Sequence, residues 1–293
     1  MDEKKGQIPP YPQQNLPQTG FAPQSGFAQQ PGFSAGYPQS NFSTVYGDGM
    51  PPANQHVPNS DEEPIVKGFE FSDVSIRRGF IRKVYSILSI QLLLTLGFVL
   101  LCTYHHSTQL FVTQTPSLMI VALILSISTV ITLCCCEGIR RQSPSNMIFL
   151  SLFTLSEAYL VGVATVRYEH EVVEMAILFT TVVVVALTVF AMQTKWDFTT
   201  LGGTLFVTLW IFILIGFIMA FMPQTNAMII VISSVGAIIF SIYLIHDTQL
   251  IMGGDHKYSI SPEEYILGAI TLFLDILNIF LYILRILGAA SKS

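Results

Sequence analysis

From Val84 onward the chain repeats one pattern, an apolar run of about 20 residues followed by a short polar break. The runs lie near 84–104, 116–136, 146–166, 172–192, 201–222, 226–246 and 266–287. At a rise of about 1.5 Å per residue, each is long enough to cross the roughly 30 Å hydrocarbon core of a bilayer as an α-helix. The breaks hold residues that end helices, among them Pro116, Pro144, Pro223 and the pair Gly253 and Gly254. The pattern predicts an all-α fold: a polytopic membrane bundle of seven transmembrane helices over 84–288, with a short tail at 289–293.

Composition agrees. The chain is 51% hydrophobic and only 11% charged, against roughly 25% charged residues in a typical soluble domain. Eight of the nineteen carboxylates and seven of the fourteen Lys and Arg residues fall within 1–83, so the remainder has too few charges for a water-facing surface. A net charge of -5 with dispersed basic residues gives no electrostatic footprint for nucleic acid, and that class of partner is excluded. The four cysteines, Cys102 and Cys134 to Cys136, lie in or at the ends of apolar runs, where burial is expected before disulfide pairing or palmitoylation.

Residues 1–64 repeat Pro, Gln, Gly, Ser and aromatic residues (GFAPQSGFAQQPGFSAGYPQ), a composition that buries too little apolar surface to offset the entropy of ordering. This tail is predicted to be disordered and cytosolic, and it has no apolar stretch of the kind a signal peptide carries. A basic juxtamembrane segment, 65–83, connects it to the first span. Arg77, Arg78, Arg82, Lys83, Arg140, Arg141, Lys195 and Lys257 flank the spans on one side and only Arg167 on the other, which places the N-terminus in the cytosol. The C-terminus crosses to the far side if the last segment spans fully, and stays in the cytosol if it is re-entrant.

Ionisable groups within the spans carry the functional reading, because each costs about 2.5–3.5 kcal/mol on insertion scales. Three acids stand out: Glu157 in the third span, Asp247 at the end of the sixth and Asp275 in the seventh. In the seventh, Gly268, Thr271, Asp275, Asn278, Tyr282 and Arg285 are spaced alternately by three and four, so they form one polar stripe. That face must look into the bundle or a wet cavity, which makes this helix central. Asp275 and Arg285 are about 15 Å apart along the axis and cannot pair. Asp247 is the natural partner for Asp275 if the sixth and seventh spans pack antiparallel, and two carboxylates close together in low dielectric would share a proton and act as a pH sensor. For Glu157, interhelical hydrogen bonding is an equally good account.

The stretches SIRRGFIRKVYSILSIQLLLTL, CCCEGIRRQSPSN, QTKWDFT, HDTQLIMGG and SPEEYILGAITLFLDILNIFLYILRILG, together with the Pro-, Gln- and Tyr-rich tail, resemble the transmembrane Bax inhibitor motif family in its Lifeguard branch. The resemblance implies seven helices around a central last one, residence in the Golgi, endoplasmic reticulum or another endomembrane, passive calcium leak and suppression of apoptosis. It implies that Asp247 and Asp275 form a di-aspartyl pH sensor and gate that transiently binds calcium, with calcium as transported ion and no resident cofactor. Arg140 or Arg141 would be the latch on that pair, and Thr271, Asn278, Tyr282 and Arg285 would line the path. The competing reading is an interaction protein whose tail and helix faces bind death-receptor or Bcl-type partners. An intramembrane aspartyl protease is disfavoured, because the glycine-flanked Asp255 lies in a polar loop and not within a helix; no enzymatic activity is expected.

Overall fold

The computed structural model describes residues 67–254 and 256–292; the predicted tail at 1–64 lies outside the described residues. Everything described is helix or connecting turn. In chain order the helices are α1 (Lys67–Tyr104), α2 (His106–Gln114), α3 (Pro116–Cys135), α4 (Glu137–Arg141), α5 (Ser145–Thr165), α6 (His170–Gln193), α7 (Gly202–Met219), α8 (Asn226–Met252) and α9 (Tyr265–Ala290). Short 3₁₀ turns at Phe198–Leu201 and Pro262–Glu264 precede α7 and α9. Seven helices are long and apolar enough to cross a membrane, and they coincide with the seven predicted runs. The chain is a multi-pass membrane protein.

Helix α1 begins at Lys67 and continues unbroken into the first span, so the described part of the basic segment, 67–83, is helical. One boundary differs from the expectation. The sixth span does not end at 246, because α8 runs on to Met252 before Gly253 stops it. Asp247 is therefore inside a helix and not at its end.

Packing confirms the central position of α9. Within its apolar window 61% is buried inside the bundle, against 39% or less for each of the other six spans. Helix α8 packs along it most extensively, and α1, α5 and α6 complete the surround. Val84 of α1, Phe153 of α5, Val173 of α6 and Leu244 of α8 meet Ile270, Phe273 and Ile279 of α9 in one core, where Phe153 and Phe273 sit edge-on with centroids 6.1 Å apart. Lipid is as apolar as leucine, so van der Waals fit and interhelical hydrogen bonds, more than the hydrophobic effect, hold such helices together. One such bond runs from Gln91 Nε2 to Thr154 Oγ1 at 3.0 Å, joining α1 to α5. Peripheral helices expose the reverse face: Phe206, Trp210, Leu214 and Phe217 of α7 all point outward, as lipid contact demands.

α9 begins just after Glu264, which lies beside Arg140, and runs unbroken past Gly288, beside Tyr168. It joins the two ends of the bundle. The start of α1, α4, the α6–α7 turn and the α8–α9 loop gather at the first of these ends, called here the inner end. The cysteines divide: Cys102 is buried as expected, whereas Cys134, Cys135 and Cys136 are exposed, contrary to the expectation of burial. The three lie at the end of α3 and in its link to α4, and successive helix residues point about 100° apart, so a run of three cannot all face the bundle.

Candidate functional site

The predicted acid pair is brought together. α8 and α9 run antiparallel, and Ile251 abuts Gly268, which sets the register between them. Asp247, four residues before Ile251, is then level with Leu272, three residues or about 4.5 Å along the axis from Asp275. Both are buried, Asp247 being 7% exposed and Asp275 4%. Tyr243 precedes Asp247 by four residues and so shares its face of α8. His246 lies beside them, with Nδ1 at hydrogen-bonding distance, 2.7 Å, from Asp247 Oδ1.

Asp275 is the group left incomplete. Its Oδ2 is buried without a hydrogen-bond partner, and such an oxygen is costly unless a proton, a cation or a donor meets it. Two other stripe residues bond within α9: Thr271 donates to Gly268 O at 3.3 Å, and Asn278 Nδ2 to Leu274 O at 2.8 Å. Tyr282 is held by ring contacts with Phe240 and Phe212, each at 5.8 Å between centroids. Among the described residues no group of three or more His, Cys, Asp or Glu side chains is arranged to hold a metal ion. Two carboxylates and a phenol offer fewer oxygens than the roughly 6–8 that a resident calcium takes.

Arg140 and Arg141 are found elsewhere than on Asp247. Arg140 donates to both carboxylate oxygens of Glu264, through Nε and through Nη2, the latter at 3.1 Å. Arg141 Nε donates to Glu264 Oε1 at 2.8 Å, and Arg141 also pairs with Glu137 at 2.7 Å and Glu263 at 3.2 Å. These hydrogen bonds to Glu264 hold both guanidinium pKa values above their ordinary value. The reason for the difference is axial. Glu264 lies eight residues, about 12 Å, below the level of Asp247 on α9, so the acid nearest to α4 takes both arginines. Arg140 Nη1 also donates to Leu133 O and Cys134 O, at 3.1 and 2.8 Å, closing the end of α3. Asn146 joins the cluster by donating to Arg140 O at 3.2 Å and to the Tyr265 hydroxyl at 2.7 Å.

Glu264 was not singled out from the sequence, although the signal was there: it precedes Gly268 by four residues and extends the stripe by one turn. Gln249 was also missed. It is fully buried, accepts from Phe198 N at 2.8 Å and donates to Trp196 O at 2.9 Å, so it ties the α6–α7 turn to α8 two residues past Asp247. Asp197 completes that turn by accepting from Thr199 Oγ1 at 2.6 Å and Lys257 N at 2.9 Å. The Thr199 hydroxyl, then the Lys257 amide, hold the Asp197 carboxyl below the usual carboxylate range. A depressed folded value means that its contribution is present at neutral pH and is lost only as pH falls through that low value, so a response near pH 7 has another origin. Glu157 stands apart, accepting from Ser126 across α3 and α5, and this bond accounts for it as interhelical glue.

The α8–α9 loop closes over the inner end. Arg77 Nη1 donates to Ile260 O at 2.6 Å, and its guanidinium fills the space where a side chain at Gly253 would go. Gly253 also has φ +60 and ψ -133, a region that glycine enters freely and other residues do not. Gly253→Ala should therefore cost about 1–3 kcal/mol from backbone strain and displace Arg77. A lowered thermal midpoint of the detergent-solubilised protein checks this, and an unchanged one would show that the loop is not clamped.

The sequence is similar to those of known proteins. The family model described as inhibitor of apoptosis-promoting Bax1 matches residues 77–292, from the Arg77 clamp to the end of α9. Protein lifeguard 3 of Homo sapiens is 34% identical over 96% of this chain and 97% of its own length. Its Mus musculus counterpart is 34% identical over 97% of this chain and 89% of its own. Protein lifeguard 4 of Mus musculus is 38% identical over 75% of this chain and 89% of its own length. With the match spanning all seven apolar helices, the chain belongs to the Bax inhibitor motif family, in its Lifeguard branch.

Proposed function

We propose that this chain is a pH-gated calcium-leak channel of an endomembrane, lowering store calcium and thereby opposing apoptosis. The observation that supports it best is the buried Asp247 and Asp275 pair, with one carboxyl oxygen of Asp275 unpartnered at mid-depth in the central helix. An oxygen so placed is a site for a proton or for a hard cation, and exchange between the two couples pH to passage. Basic residues crowd the inner end, and the bias of such residues toward the cytosolic side supports a cytosolic inner end and N-terminus. Arg140, Arg141 and Glu264 then form the cytosolic closure, with the Arg77-clamped loop beside them, and the pair sets how readily it opens. The family's character as an inhibitor of apoptosis-promoting Bax1 supports this reading, since a lowered calcium store would oppose apoptosis.

Calcium flux from liposomes holding the purified chain, followed as pH is varied, tests this reading; a flux indifferent to pH, or none, counts against it. The same family description also favours a second reading, in which the tail binds Bcl-type or death-receptor proteins. Deleting residues 1–64 separates the two. Under the channel reading the deletion leaves both liposome flux and protection of cells intact, whereas under the interaction reading protection is lost.

A further inference from the structure

The end of α9 opposite the closure carries groups that the acid pair does not use. A cavity of about 470 Å³ opens there, lined among others by Arg167, Tyr168, Asn278, Tyr282 and Arg285. A second cavity of about 280 Å³ shares Arg167 and Tyr168 and adds Ser291, Lys292 and, as its one acid, Glu169. No carboxylate among the described residues lies within ion-pair distance of Arg167, Arg285 or Lys292. Three cations thus surround two adjoining spaces with no counter-charge bonded to them. The bland account is a set of solvated surface cations, and it fits Arg167 and Lys292 alone. It does not fit Arg285, which is half-buried on the polar stripe and faces the larger space.

The walls are also fixed. The Tyr168 ring rests on Gly288, where any side chain would collide with it, and the Tyr282 ring is stacked on Phe240. Two phenols beside two guanidiniums form a set of donors facing these spaces. Guanidinium forks match the paired oxygens of phosphate, and the larger space is of the size that small ligands occupy.

We infer that Arg167, Arg285 and the two tyrosines form an anion site for a phosphate group, supplied either by an acidic lipid headgroup of that leaflet or by a free phosphate. The site stands on its own geometry and is read by binding, so its fate does not depend on calcium conduction. The full chain in phosphatidylcholine nanodiscs is titrated with inorganic phosphate and with pyrophosphate at constant ionic strength, following heat of binding and the thermal midpoint. In a parallel arm the nanodiscs carry a minor fraction of phosphatidylglycerol, and lipid retained after extraction is read by native mass spectrometry. Saturable binding in the first arm identifies a soluble phosphate, and selective retention in the second a headgroup. Either should weaken about tenfold or more in Arg285→Gln, the loss of about 1.4 kcal/mol expected for a charged hydrogen bond. Arg285→Lys, which keeps the charge and loses the fork, should fall between. Arg167→Gln lies in an exposed connection and supplies the comparison should the Arg285 variants fail to fold. Absence of binding in both arms, or binding unchanged in Arg285→Gln and Arg167→Gln, overturns the inference.

Discussion

Calcium efflux from liposomes holding the Asp275→Asn chain should be flat between about pH 6 and pH 8, while the unaltered chain varies by about tenfold or more, since one unit of proton affinity corresponds to roughly a factor of ten. Asparagine keeps the shape of aspartate and removes its ability to exchange a proton for a cation. The carboxyl oxygen concerned has no hydrogen-bond partner, so the replacement breaks no bond seen in the fold and should leave the protein assembled. Asp247→Asn should act in the same direction but less cleanly, because it also disturbs the bond with His246. If Asp275→Asn keeps the pH profile of the parent, the acid pair is not the sensor. If neither protein passes calcium, the tail and its partners become the better account of function.

Glu264→Gln should lower stability by about 3 kcal/mol, the low end of the range for removing one member of a buried ion pair. The low end is appropriate because the Glu264 side chain is 9% exposed and that of Arg140 12%, whereas Arg141 reaches open solvent at 39%. The loss arises mainly from leaving Arg140 enclosed without its acid. In flux measurements the same variant should leak more at neutral pH, since α4 would no longer be tied to the head of α9. Glu263→Gln is the control. Its side chain is 69% exposed, and an exposed pair of this kind contributes about 0–1 kcal/mol. Equal effects at the two positions would mean that the cluster is not a closure.

The bundle was legible because its cause is simple. Runs of about 20 apolar residues have few solutions in lipid, and the three-and-four spacing from Gly268 to Arg285 announced a helix with a face to hide. Asp247 and Asp275 could be paired for the same reason, as a short loop forces α8 and α9 to be antiparallel neighbours. Arg140 and Arg141 were placed near the right end but given the wrong neighbour. Spacing along one helix says nothing about the axial level of a loop on another, and it was that level which gave them Glu264. Gln249 illustrates a second limit. A glutamine near a helix end looks like a surface residue until a turn 51 residues away in sequence brings its backbone amide to it.

Helix α1 is 38 residues long, about 57 Å at 1.5 Å per residue, nearly twice the roughly 30 Å depth of the hydrocarbon core. It is therefore a stiff lever as well as a span. Arg77 lies on the arm at the inner end and bonds the Ile260 carbonyl, so the lever and the loop over the inner end are joined. A movement of that arm would reach the loop directly, without passing through the membrane core.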